Sequence, residues 1–183
     1  MNLQQSALII AAVLLMSGTA GAQDEDNAQL RAGLYANAQK ALEKLFNTVE
    51  GSRAVFNQAE GYAVFATTKA GFIITGGGGR GVAVDKSSGK TVYMKVGMGG
   101  IGFGIGAQQF DMVILFDDAS RLDSFIDGGW GGAAAAQAMA GGDSTEASQM
   151  LQDGVVVYTL TSAGLMASAD VSAARFWVDE DLN

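Results

Sequence analysis

The sequence predicts an α+β fold of one domain, in which an antiparallel, glycine-rich sheet, open or barrel-like, packs with an N-terminal amphipathic helix and short helices. Three observations predict it. Apolar residues recur every three or four positions between residues 27 and 50, which is the period of a helix. From Tyr62 onward the period falls to two, which is typical of strands. The 183 residues include 26 glycines and no proline, so the turns depend on Gly, Asn, Asp and Ser.

The first 22 residues have the features of a secretory signal peptide. Residues 7–16 form an apolar run too short to span a bilayer, and the small residues at 20–22 resemble a cleavage site. Residues 1–6 contain no Lys or Arg, so an uncleaved N-terminal anchor is the alternative. We expect cleavage near Ala22, a mature domain of residues 23–183, and a periplasmic or secreted location.

Residues 27–50 form the first predicted helix of the mature chain, with one apolar stripe facing the sheet. Residues 24–26 are acidic and lie where the helix dipole favours anions, and Gly51 is a typical stop. Residues 52–60 add a short helical turn, with Ser52 as its cap and Gly61 at its end. The stripe consists of Leu30, Leu34, Ala38, Ala41, Leu42, Leu45 and Val49.

Six strands are predicted in the next part of the chain, at residues 62–67, 71–75, 81–85, 91–98, 101–107 and 112–116. Their connections are short: Lys69-Ala70, a glycine-rich turn at 76–80, and a hairpin at 86–89. Strands joined in this way are antiparallel neighbours. Gly102, Gly104 and Gly106 alternate with apolar residues, which indicates a bend, a bulge or a close approach of backbone. Because Gly100 breaks the alternation, we expect a bulge there.

The C-terminal third is predicted to mix short helices and strands. Residues 120–126 form a capped helix, 130–142 a strand or an irregular segment, and 144–151 a short helix with Ser144 as cap. Residues 155–160 form a strand, and 164–168 with 171–178 form a last hairpin. Residues 179–183 are expected to be a solvated tail.

Composition excludes several function classes. The chain has no His and no Cys, which removes disulfides, thiolate nucleophiles, Ser-His-Asp triads and the usual zinc sites. We expect no metal, no cofactor and no catalytic residues, because the carboxylate pairs Asp117-Asp118 and Asp123/Asp127 fit a solvated surface. A net charge of −8 argues against nucleic acid as a partner. Gly97-x-Gly99-x-x-Gly102 matches a dinucleotide fingerprint by letter, but the strand character continues where that fingerprint needs a helix.

Charge is unevenly distributed along the sequence. Nine of the 11 basic residues lie between residues 23 and 95, whereas twelve of the 19 acidic residues follow residue 95. A basic face can attract anionic lipid even when net charge is negative, because screening makes the attraction local. The alternative is that these basic residues only keep the protein soluble and contact no ligand. The candidate lipid-binding residues are Lys69, Arg80, Lys86, Lys90 and Lys95.

Several ordered segments resemble the SYLF domain family. They are residues 57–65 (NQAEGYAVF), 69–77 (KAGFIITGG), 79–82 (GRGV), 102–108 (GFGIGAQ), 111–116 (DMVILF) and 158–165 (YTLTSAGL). The resemblance implies a sheet-rich domain that binds phosphoinositide-type or other anionic lipids, without known catalysis. Residues 139–142 lack the proline of a Gly-Pro-Val-Gly motif that the family commonly shows. The resemblance identifies no lipid-contact residue.

The leading hypothesis is a non-enzymatic periplasmic module that contacts anionic phospholipid or phosphoinositide-type head groups at a membrane surface. Actin, a partner of some eukaryotic SYLF proteins, is not expected in a bacterial periplasm. The alternative is a small outer-membrane β-barrel or a structural envelope protein, although most predicted strands are shorter than the roughly 9–11 residues of a membrane strand. An enzyme is the third choice. The sequence leaves the oligomeric state open.

Overall fold

The computed structural model describes residues 3–71, 74–101, 106–128, 151, 154–162, 164–165 and 174–183. Its strands form one antiparallel sheet accompanied by helices, so the predicted α+β class is confirmed. In chain order the elements are α1 (Leu3–Thr48), α2 (Ser52–Gln58), β1 (Gly61–Gly71), β2 (Ile74–Asp85), β3 (Thr91–Ile101), β4 (Gly106–Phe116), α3 (Ala119–Ile126), β5 (Val155–Thr161), β6 (Gly164–Leu165), β7 (Ala174–Val178) and a 3-10 helix at Glu180–Leu182.

Helix α1 begins at Leu3 rather than at residue 27 and continues to Thr48. The predicted apolar stripe does pack on the sheet, and Leu45 within it is completely buried. In the uncleaved chain the acidic residues 24–26 lie inside α1, so their predicted place at the helix start was wrong. Cleavage at Ala22 stays a prediction. None of the helices in the described part of the chain has the length and apolarity needed to cross a membrane.

Six strands were predicted before residue 117, and the described residues of this part of the chain form four longer strands instead. The glycine-rich segment 76–80 lies inside β2, and Lys69 and Ala70 lie inside β1, so both predicted connections were wrong. Close packing explains Gly79 and Gly81, because a Cβ at either would collide with a backbone carbonyl of β1, whereas a Cβ at Gly76 would meet no atom within 4 Å. The hairpin at 86–89 is confirmed, and its Gly89 has a φ of 71°.

Strands β2 and β3 pair without interruption from Ile74–Ile101 to Val84–Thr91. The bulge predicted at Gly100 was therefore wrong. The alternating glycines Gly102 and Gly104 lie outside the described residues, as does the segment 130–142. Of the helix predicted at 144–151 only Leu151 is described, and it is helical and buried. The strand predicted at 155–160 is confirmed as β5.

The sheet has the order β6-β5-β4-β1-β2-β3-β7. Because β6 and β7 are its two ends, the sheet is open, and the barrel-like form was wrong. The last predicted hairpin was also wrong, since β6 pairs with β5 and β7 pairs with β3 at opposite edges. Short-range alternation identifies a strand but does not identify the partner with which it pairs.

Both faces of the sheet are covered by apolar side chains. One face packs against α1, with Tyr158 among its buried residues, and the other packs against α3. On the second face the ring centroids of Phe65 in β1 and Phe176 in β7 are 5.1 Å apart. Three strand spacings of roughly 4.8 Å would separate these strands by about 14 Å in a flat sheet. The sheet is therefore strongly curved around this second core, which Phe125 of α3 also fills.

The two short helices differ in how they begin. Gly51, with a φ of 75°, is the N-cap of α2, so the predicted cap Ser52 was wrong. The Ser52 hydroxyl instead donates to the carbonyl of Val49 at 2.6 Å, which ties α2 to the end of α1. Helix α3 is confirmed, and Asp118 is its cap because its carboxylate accepts from the backbone N–H of Arg121 at 2.9 Å.

The C-terminal segment 179–183 is a docked part of the fold, so the prediction of a solvated tail was wrong. Asp179 and Leu182 are buried. The Asn183 carboxamide accepts from the N–H of Tyr93 at 2.9 Å and donates to its carbonyl at 2.8 Å, which continues the hydrogen bonding of this edge of β3 beyond its last pair with β7. From α1, Arg31 donates to the Leu182 carbonyl at 3.3 Å. These contacts join α1, β3 and the C-terminal segment.

Candidate functional site

Two of the five candidate cations meet in the structure. Arg80 of β2 and Lys95 of β3 are direct cross-strand partners. Arg80 is two residues from Val82 in β2, and Lys95 is two residues from Tyr93 in β3. Val82 and Tyr93 both belong to the core under α1, so both cationic side chains leave the sheet on the α1 face. Lys95 is also paired in register with Trp177 of β7. Strand alternation therefore places two cations and one indole ring on a single patch of this face.

Asp179, which follows β7, lies against both cations. Its carboxylate is 3.1 Å from Nε of Arg80 and 2.6 Å from Nζ of Lys95. The Asp179 side chain has no exposed surface, whereas those of Arg80 and Lys95 are 43% and 27% exposed. The contacts have ion-pair distances, but neither oxygen accepts a hydrogen bond with good angles from the described residues. Charge and proximity, rather than hydrogen-bond alignment, hold this carboxylate.

Lys95 has a second acidic neighbour. The carboxylate of Asp181 lies 3.5 Å from Nζ of Lys95 and is 73% exposed. The short contact with Asp179, at 2.6 Å from Nζ, together with the negative charge of both carboxylates, raises the pKa of Lys95 above its ordinary value. The two cations and two carboxylates together carry no net charge, so the cluster is less basic than Arg80 and Lys95 alone would make it.

An open groove of about 500 Å³ begins at this cluster. Its walls are Leu34 of α1 and Trp177 of β7, and Ala66 and Gly78 lie between them. The Trp177 side chain is 45% exposed. Its ring passes over Gly97, where a Cβ would lie 3.1 Å from the ring. The groove therefore combines apolar surface, bare backbone and an exposed indole next to two cations.

Lys86 lies elsewhere and has a structural contact. Its Nζ donates to the carbonyls of Phe56 at 2.8 Å, Asn57 at 3.3 Å and Ala59, which end helix α2. The ammonium also lies 4.8 Å from the centre of the Phe56 ring. A cation at the C-terminus of a helix satisfies carbonyls that have no partner within the helix. Lys86 therefore has a structural role at the end of α2.

The remaining two candidates lie apart from the cluster. Lys90 is exposed beside the β2–β3 hairpin, and Lys69 lies in β1 opposite Gly77 of β2. Six residues of strand separate Arg80 from the hairpin, which is about 20 Å at roughly 3.3 Å per residue. The five candidates thus do not form one patch.

Sequence reasoning missed three residues of this site, Trp177, Asp179 and Asp181. Asp179 was assigned to a solvated tail, and Trp177 was only one position of a predicted strand. The signal that could have found Trp177 is that it shares a strand face with the charged Arg175, two residues before it, and is followed by the acidic end of the chain. Nothing in the sequence marks Asp179 as buried, because its partners lie 99 and 84 positions earlier in the chain.

The acidic pair Asp117-Asp118 has structural partners. Asp117 lies 2.9 Å from Nε of Arg121, and Asp118 caps α3. Within the described ranges no three His, Cys, Asp or Glu side chains are close enough together to hold a metal ion.

Comparison with known proteins adds a family. The family model described as "Ysc84: Las17-binding protein actin regulator" matches residues 97–183. "Beta cell expansion factor A" of Aeromonas veronii is 34% identical over 154 residues, which are 84% of this chain and 59% of that protein. "SH3 domain-containing YSC84-like protein 1" of Pongo abelii is 30% identical over 129 residues, which are 66% of this chain and 37% of that protein.

The human protein of the same name is 35% identical over 80 residues, which are 41% of this chain and 23% of that protein. The chain thus spans about three fifths of the length of the bacterial relative and less of the two primate proteins. The matched residues include the end of β3, all of β7 and the C-terminal segment, and therefore Trp177 and Asp179, whereas Arg80 and Lys95 precede them. The family resemblance seen in the sequence is confirmed, and the chain belongs to the Ysc84/SYLF domain family.

Proposed function

We propose that this chain is a non-enzymatic lipid-binding module of the periplasm or the secreted space, which contacts anionic phospholipid or phosphoinositide-type head groups at a membrane surface. One observation carries the proposal: the half-exposed Trp177 lies beside Arg80 and Lys95 at the end of an open groove. The signal-like residues 1–22 support the location.

The chemistry of this patch suits the boundary between water and lipid. An indole ring has an apolar body and one polar N–H, so it is stable at the level of lipid head groups. Arginine and lysine place their charged ends near phosphate while their aliphatic stems cover apolar surface. Each basic residue close to an anionic surface contributes about 1 kcal/mol, and that contribution falls with salt.

The matched family description names an actin regulator. We do not propose actin as a partner of this chain, because the expected location after export would separate it from a cytoplasmic filament. No residue of the described cluster favours a protein filament over a membrane.

The test is co-sedimentation with vesicles of phosphatidylcholine, with and without phosphatidylglycerol. We expect binding only to the anionic vesicles, and weaker binding as salt is raised. Trp177→Ala should weaken binding about fivefold, because ~1 kcal/mol is a reasonable loss for an indole that is already half buried. Tyr35→Ala is the matched control, since Tyr35 is 42% exposed but lies on α1 outside the lining of the groove.

Fluorescence gives a second readout. The chain has two tryptophans, so Trp130→Phe leaves Trp177 as the only indole. Its emission should shift to shorter wavelength when anionic vesicles are added, because the ring leaves water. Equal loss of binding in Trp177→Ala and Tyr35→Ala would show that Trp177 does not contact the lipid. Absence of wild-type binding at low salt would overturn the proposal of lipid binding.

A further inference from the structure

The carboxylate of Asp179 occupies the position that an anionic ligand of Arg80 and Lys95 would take. It contacts both cations at 3.1 and 2.6 Å, while the cations keep exposed surface on their other sides. A lipid phosphate approaching from the groove would therefore meet cations that are already paired with an internal anion. No such relation is visible when the basic residues are considered without the C-terminal segment.

Asp179 is held in this position by backbone contacts. Its N–H donates to the Tyr93 carbonyl at 2.9 Å, and its own carbonyl accepts from the Asn183 carboxamide at 2.7 Å. Leu182 is buried in the core under α1, which fixes the segment on its other side. A carboxylate positioned by the fold in advance has no ordering cost when it pairs with the cations, unlike a ligand from solution.

Resting on the proposed function, we infer that Asp179 is a built-in competitor of the lipid head group, and that the C-terminal segment thereby limits the affinity of the Arg80–Lys95 site for anionic membranes. The ligand class of the site is an anionic phosphate group on a lipid surface. Removing the charge of Asp179 should increase binding, which is the opposite of what loss of a supporting contact would do.

Asp179→Asn is the informative change, because it keeps the shape of the side chain and removes its charge. Both cations remain in reach of water, so they do not become buried charges without a partner. Charge reversal at Arg80 and Lys95 would be a poor test, since it would place new carboxylates against buried Asp179 and destabilise the fold. Freeing one unit of positive charge near an anionic surface should raise affinity about fivefold.

Glu180→Gln is the matched control. Glu180 is exposed, is adjacent in sequence and changes the net charge by the same amount, but it contacts neither cation. We would titrate phosphatidylglycerol-containing vesicles against the wild type and both variants at low ionic strength. The inference requires Asp179→Asn to bind about fivefold more tightly than Glu180→Gln. Equal affinities of the two variants overturn it while leaving lipid binding by the wild type intact.

Inorganic phosphate provides a readout that does not need a membrane. Added phosphate should raise the melting temperature of Asp179→Asn more than that of Glu180→Gln, because only in the first variant are Arg80 and Lys95 released from the carboxylate of Asp179. If none of the three proteins binds vesicles, the proposed function is overturned, and competition at a membrane is overturned with it. If the wild type binds vesicles but phosphate raises the melting temperatures of both variants equally, only the inference is overturned. If Asp179→Asn does not fold, Asp181→Asn replaces it in both assays, with a gain of about twofold expected for its exposed carboxylate.

Discussion

Replacement of Lys86 by methionine should destabilise the fold, although the sequence places this residue among the lipid contacts. The Lys86 ammonium donates to three carbonyls at the end of α2, those of Phe56, Asn57 and Ala59. Methionine keeps an unbranched apolar stem over the Phe56 ring but has no donor. The change therefore removes the cap of the helix while largely preserving its packing.

The magnitude follows from the number of contacts and their exposure. A hydrogen bond to a charged group contributes about 1.5–3 kcal/mol. Three such bonds share one ammonium here, and burial lowers the pKa of Lys86, with Glu60 partly opposing, which shows that desolvation offsets part of the gain. We therefore expect a loss of about 2 kcal/mol. At about 2–4 °C per kcal/mol for a domain of this size, the melting temperature should fall by about 4–8 °C.

Thermal unfolding followed by circular dichroism measures this effect. Lys90→Met is the matched control, because the exposed Lys90 side chain has no ion pair or hydrogen bond among the described residues. The control should melt within about 1 °C of the wild type. If Lys86→Met melts together with Lys90→Met, the carbonyl contacts contribute nothing and the structural role assigned to Lys86 is wrong.

Two further predictions concern packing and pH. Gly81→Ala should cost about 3 kcal/mol or more, because its Cβ would collide with a carbonyl of β1, whereas Gly99→Ala, with nothing within 4 Å, should change stability by less than about 0.5 kcal/mol. Denaturant unfolding of both variants checks this, and similar midpoints would contradict it. Hydrogen bonds from Ser120 and Arg121 lower the pKa of Asp118 below its ordinary 3.8 in the folded protein. The ionised Asp118 carboxylate therefore stabilises the fold at pH values above 3.8, and this stabilisation is lost as the pH falls through the pKa of the folded state. The difference in melting temperature between wild type and Asp118→Asn should therefore shrink below about pH 4, and a difference independent of pH would refute it.

Local patterns in the sequence predicted the elements whose signal is short-range. The stripe from Leu30 to Val49 predicted a helix and the face that it buries, and the segment VVVYTL at residues 155–160 predicted the strand β5. The hairpin before Lys90 was predicted because its polar residues and glycine determine a turn locally. Each of these depends on residues fewer than about five positions apart.

The same local reasoning failed for the glycine run of β2, because glycine occurs both in turns and in closely packed strands. The run at residues 76–80 resembles a turn, because glycine adopts turn dihedrals at low cost. In the fold Gly78 and Gly79 allow β2 to approach its neighbours, because a Cβ at these positions would collide with the carbonyls of Val96 and Ala66. Only the neighbouring strand distinguishes the two uses.

The sequence by itself determined the α+β class, the buried stripe of α1, the absence of histidine and cysteine chemistry, and the family. Only the tertiary structure decided which cations act together. Arg80 and Lys95 meet because β2 and β3 pair in one register, and Asp179 reaches them because β7 adds to the far side of β3. Strand pairing is determined by the burial of whole faces and by backbone hydrogen bonds across the sheet, and neither is visible in a short window of sequence. For the same reason the charge of the C-terminal residues was visible from the start, whereas the burial of Asp179 was not.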